Sequence, residues 1–102
     1  MTFGITEAEN KIINEILKEY TPKYSFFYYG SRIKGNFSKT SDLDILIKSE
    51  NELPLKDLVN LKEKFDSSNL PYIVNFSEYN KMDEKFYNLI KNNLIKIDEL
   101  YY

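Results

Sequence analysis

Two short clusters in this chain carry residue types suited to phosphate chemistry. Gly30-Ser31-Arg32 is followed by Asp42-Leu43-Asp44, which opens the apolar run Ser41-Asp42-Leu43-Asp44-Ile45-Leu46-Ile47. Alternate side chains on a strand share a face, so Asp42 and Asp44 point the same way, about 6–7 Å apart along the backbone. Two such carboxylates repel each other and resist desolvation unless a cation neutralises them. A divalent metal is the economical partner, either one ion bridging both or a pair about 3.5–4 Å apart, the arrangement of phosphoryl transfer. Gly30 ends an aromatic run where the chain must turn sharply and let a ligand approach the backbone. Ser31 supplies a hydroxyl and, at a helix start, a free N–H for phosphate oxygens. The Arg32 fork fits phosphate oxygens bidentately, with Lys34 as a second cation nearby. Ser41 reads as the cap of the turn into the strand. The clusters together describe a seat for a magnesium-bound triphosphate.

Rival motifs fail on their spacing. Gly30 to Gly35 fits the glycine frame of a P-loop, but Asn36-Phe37 stands where Lys and Ser or Thr are needed. Asp42-Leu43-Asp44 starts like a calcium loop, yet Leu46 and Ile47 occupy its third-ligand and glycine positions.

The composition narrows the choice further. With no histidine and no cysteine, histidine bases, thiolate nucleophiles, disulfides and the usual structural zinc are excluded. Any metal sits among oxygens, which points to magnesium, manganese or calcium. Fourteen basic against sixteen acidic residues leave a net charge of −2, so no footprint for general nucleic-acid binding is visible. The 102 residues read as one small domain, 1–102, with 42% hydrophobic residues and little material for a separate acceptor-binding lobe. Neither a signal segment nor a membrane span is legible, so the expected location is cytoplasmic.

The elements that must position these residues follow from periodicity. Thr6 and Glu9 have capping-box spacing, and Ile12, Ile13, Ile16 and Leu17 share a helical face, predicting a helix over 6–19 closed by Thr21-Pro22. Tyr24 to Tyr29 reads as a strand covered on both faces, a better account of its four consecutive aromatics than base stacking without a basic surround. A short helix follows Gly30-Ser31, and residues 43–48 form the second strand. Pro54, Leu55, Leu58, Val59, Leu61 and Phe65 predict a helix over 54–66. Pro71 to Phe76 reads as a third strand near an edge. A last helix spans 82–93, with an extended piece over 94–97. Its apolar residues, Phe86, Tyr87, Leu89 and Ile90, suit core packing first and partner contact second. This order predicts an α/β domain with helices on a small mixed sheet, and ligands in such sheets gather at strand ends.

Gly30-Ser31-Arg32-Ile33-Lys34-Gly35 with Ser41-Asp42-Leu43-Asp44-Ile45 resembles the signature of the minimal nucleotidyltransferases of the polymerase-beta-like superfamily, and Leu70 to Asn75 resembles their third motif. The resemblance covers residues 10–97. It implies the nucleotidyltransferase fold, Mg2+ or Mn2+ with ATP, and transfer of AMP to a hydroxyl on a partner protein. It assigns Gly30, Ser31 and Arg32 to the nucleotide, and Asp42 and Asp44 to the metals and catalysis. It also implies an antitoxin-like role beside a helical HEPN-type partner. The family's third carboxylate falls at position 75, where this chain has Asn75. An amide cannot act as a base, and losing a positioned base costs about 10²–10⁴-fold in rate. Glu78 is placed on the opposite strand face by alternation. Two readings therefore stand: a transferase, or a weakened nucleotide-binding module that neutralises its partner by complex formation.

Overall fold

The computed structural model describes residues 3–21 and 23–101, leaving Pro22 of the expected helix stop outside the described residues. Helix α1 (Glu7–Leu17) starts at the capping box read from the sequence: the Glu9 N–H donates to Thr6 Oγ1 at 3.0 Å, and the Thr6 N–H donates to Glu9 Oε1 at 2.9 Å. A 3₁₀ turn over Lys18–Tyr20 continues it. Strand β1 (Ser25–Tyr29) leads through Gly30 into the single-turn helix α2 (Ser31–Lys34), and β2 (Leu43–Lys48) follows the intervening loop. Helix α3 (Leu55–Asp66), β3 (Val74–Glu78), α4 (Glu84–Ile90) and the two-residue β4 (Ile95–Lys96) complete the order. None of the helices among the described residues is long and apolar enough to cross a membrane.

The sheet order is β3-β2-β1-β4. β1 pairs antiparallel with β2 and β4, while β2 and β3 run parallel, as the α3 crossover between them allows. This is the mixed α/β sheet that the element order predicts. Two segments differ from expectation. The third strand occupies 74–78 rather than 71–76, because Pro71 has no N–H to donate and the parallel register begins at Leu43↔Val74. Residues before it approach β2 through a single bond, from the Leu43 N–H to the Ile73 carbonyl at 2.8 Å. The last helix is shorter than 82–93, since Asp83 caps α4 by accepting from the Lys85 N–H and its final turn tightens to 3₁₀ over Lys91–Asn93.

The two faces of the sheet are filled differently. One face presents Phe26, Tyr28, Ile45, Ile47 and Phe76 to α1 and α3, where Ile13, Leu17, Leu61 and Phe65 close the core. Each of the fully buried side chains among these contributes about 1.5–3 kcal/mol relative to exposure, and Phe76 is partly buried. A polar contact crosses that core: the Tyr28 hydroxyl donates to Asn10 Oδ1 at 2.7 Å, fastening α1 to the middle of β1. The other face carries Tyr29, Asp44, Leu46, Lys48, Asn75 and Ser77. Helix α4 covers part of it, with Phe86 edge-on to the Tyr29 ring and the Tyr87 hydroxyl accepting from Lys48 Nζ at 2.8 Å.

Candidate functional site

The second face carries the candidate site residues. The register sets Tyr29 beside Asp44 and Asp44 beside Asn75, a row across β1, β2 and β3 at one end of the sheet. Asp42 lies just before β2, two residues from Asp44. The Asn75 amide joins the pair, its Nδ2 donating to Asp42 Oδ2 at 3.0 Å. The structure therefore brings Asp42, Asp44 and Asn75 together.

Gly30 completes the corner. Its φ of +86° lies in the region glycine favours, and a Cβ there would stand 2.3 Å from Asp44 Oδ2. Only a residue without a side chain lets the turn into α2 pass this close to the carboxylate. Ser31 begins α2 half-buried, and the carbonyl of Gly30 accepts from the Ile33 and Lys34 N–H groups at 3.1 and 3.0 Å. Lys34 is exposed.

Burial raises the Asp44 carboxyl above the usual carboxylate range; the Asn75 amide partly opposes this, and the Asp42 charge adds to it. Neither aspartate forms an ion pair with a lysine or arginine among the described residues. An exposed carboxylate, Asp42, beside a half-buried one, Asp44, with no protein cation, is a donor set suited to a hard divalent ion. No group of three acidic side chains placed to hold a metal occurs among the described residues. The site thus offers two carboxylates and a neutral amide. Glu78 ends β3 on the other face, as alternation predicts, where it faces Lys81 at 3.6 Å.

Arg32 is placed differently from the aspartates. It is 94% buried, being 6% exposed, and its guanidinium donates to backbone carbonyls: Nε to Ser41 at 2.9 Å, Nη1 to Gly4 at 2.6 Å and Nη2 to Lys39 at 3.2 Å. The Tyr72 ring stacks 4.1 Å from it. Ser41 caps the preceding turn, its Oγ accepting from the Ser38 N–H at 2.8 Å.

Two features of the face were not readable from the sequence. The Tyr29 hydroxyl and Ser77 Oγ share a hydrogen bond of 2.9 Å beside Asp44, a pairing visible only once the β2–β3 register is known. Burial raises the Tyr29 hydroxyl above its ordinary range; the Ser77 bond opposes this and the Asp44 charge reinforces it. Lys48 sits among the rings of Phe27, Tyr79 and Tyr87 at 5.3, 4.9 and 4.9 Å, fixing α4 to the sheet.

Known proteins resemble this chain in sequence and in fold. Residues 10–99 match the nucleotidyltransferase domain family. A probable protein adenylyltransferase, MntA, of Haemophilus influenzae is 36% identical over 95 residues, covering 93% of this chain and 83% of that protein. A crystal structure of a toxin-antitoxin with AMP-PNP superposes with a TM-score of 0.70 over 86% of this chain and 71% of the other, at 19% identity, a likeness of fold.

Proposed function

The chain belongs to the nucleotidyltransferase-domain family, and on that premise we propose that it transfers AMP from ATP to a hydroxyl of a partner protein in the cytoplasm. The observation carrying this reading is the meeting of Asp42 and Asp44 with the Gly30 turn, where the backbone passes too close to Asp44 for any side chain. Asp42 and Asp44 would hold Mg2+ or Mn2+. When bound, the ion neutralises phosphate charge and orients the triphosphate for in-line displacement. Gly30 lets the turn into α2 lie against the Asp44 carboxylate, and Ser31 with the first N–H groups of α2 would supply donors to phosphate oxygens beside it. The adenylyltransferase name of the Haemophilus influenzae relative supports AMP as the group transferred. The toxin-antitoxin neighbour supports a toxin as partner, here taken to be a helical protein of HEPN type.

A second reading rests on Asn75. Its amide donates to Asp42 and can accept no proton, which favours a nucleotide-holding module that neutralises its partner by complex formation. ATP labelled in its α-phosphate, mixed with Mg2+ and the co-purifying partner, separates the two. Label on the partner, lost in Asp42→Ala and Asp44→Ala, supports transfer. An inert native chain that Asn75→Asp activates by about 10²-fold or more, with partner binding unchanged, supports the module. No label with any of the chains, and partner binding indifferent to nucleotide, overturns the transferase reading.

A further inference from the structure

We propose that Arg32 is a positioning residue: its guanidinium grips the carbonyls of Gly4, Lys39 and Ser41 and thereby fixes the loop that delivers Asp42 to the phosphate and metal seat. The inference rests on the nucleotide reading above. Arg32 is a buried cation that forms no ion pair with a carboxylate among the described residues. A buried unpaired charge is expensive unless hydrogen bonds saturate it. Here they converge from separate stretches of chain, Gly4 at 2.6 Å, Lys39 at 3.2 Å and Ser41 at 2.9 Å, with Ser38 at 3.5 Å. The Tyr72 ring covers one side at 4.1 Å and the Phe37 ring lies 5.5 Å away.

The grip has a direct geometric consequence. The Arg32 backbone follows Ser31, and its side chain holds the carbonyl of Ser41, one peptide before Asp42. The phosphate turn and the carboxylate pair are thus joined by a rigid fork rather than only through the loop between them. The loop is wound so that its carbonyls can meet that fork: the Ser41 N–H donates to the Ser38 carbonyl at 3.1 Å while Ser41 Oγ accepts from the Ser38 N–H. The N-terminal stretch is locked to the same place. The Gly4 N–H donates to the Arg32 carbonyl at 2.7 Å, and a Cβ at Gly4 would lie 2.9 Å from the Arg32 side chain. Only a guanidinium spans three carbonyl directions at once; an ammonium is a point donor on a flexible stem.

Calorimetric titration of a non-hydrolysable ATP analogue at increasing Mg2+ tests this with Arg32→Lys and Arg32→Met. Circular dichroism fixes a temperature at which each variant is folded. Both are expected to raise the Mg2+ concentration for half-maximal binding by about 10–100-fold, the usual effect of losing a group that orients a metal ligand. A phosphate ligand would behave otherwise: lysine would retain most binding, and methionine would weaken it even at saturating Mg2+. That pattern overturns the inference, as does an unchanged Mg2+ requirement accompanied only by a lower melting temperature. Should neither variant fold, Tyr72→Leu, which strips the stacking ring and leaves Arg32 in place, decides: the Mg2+ requirement rises in the same direction by a smaller factor, and no rise overturns the proposal. Absence of any Mg2+-dependent binding by the native chain overturns the nucleotide reading itself, and this inference with it.

Discussion

The two faces of one sheet follow opposite rules. Towards α1 and α3, β1 and β2 present side chains such as Tyr28 and Ile45 that are wholly buried, and the Tyr28 hydroxyl in their midst is satisfied by Asn10. Towards α4 the same strands present Asp44, Tyr29 and Lys48, and α4 itself buries no residue fully. The contrast shows where stability is stored. A packed face of aliphatic and aromatic side chains lets the opposite face hold two like charges in close company, an arrangement that weakens the unliganded fold.

The contrast breaks most visibly through Ile45→Ala. The side chain is wholly buried between the helices, so truncation is expected to cost about 2–5 kcal/mol, measured by urea unfolding. Leu89→Ala on the α4 side, where the side chain is 76% exposed, is expected to stay within about 0.5 kcal/mol. Equal costs would dissolve the distinction between the faces.

Gly30→Ala probes the corner where the faces meet. A methyl group there meets Asp44 Oδ2 and forces an alanine to positive φ, so a loss of about 1–3 kcal/mol is expected, together with weakened nucleotide binding. A stable variant with native binding would show that the close approach at Gly30 is not part of the site.

The smallest effect has the opposite sign. Because Asp44 titrates higher in the folded chain than in the unfolded one, the native state holds its proton longer, and unliganded stability falls as pH rises from the ordinary aspartate range through the raised one. Asp44→Asn removes that slope. It is expected to stabilise the unliganded protein at neutral pH by about 0.5 kcal/mol, with no gain at pH values below the ordinary aspartate range. Urea midpoints across pH check this, and a variant that loses stability at neutral pH would refute it.

Much of this was legible in the chain. The capping box at Thr6 and Glu9, the aromatic run into Gly30 and the apolar strand that carries Asp44 each encode local geometry, which short periods express directly. What was not legible depends on partners distant in sequence. The start of β3 at Val74 is set by parallel pairing with Leu43, not by the apolar run that begins at Pro71. The position of Arg32 follows from carbonyls of Gly4, Lys39 and Ser41, and a backbone acceptor has no signature in residue type. The burial of Asn10 likewise depends on a distant partner, the Tyr28 hydroxyl. Motifs point to candidate side chains, and tertiary pairing fixes what surrounds them.

The central claim, that Asp42 and Asp44 form a metal-dependent nucleotide seat beside the Gly30 turn, is tested most directly by isothermal titration of the native chain with a non-hydrolysable ATP analogue, in Mg2+ and in EDTA. The account predicts saturable binding in Mg2+ that weakens by at least about tenfold in EDTA and in Asp42→Ala and Asp44→Ala. Binding that is absent from the native chain, or equally strong without metal and without either carboxylate, would contradict it.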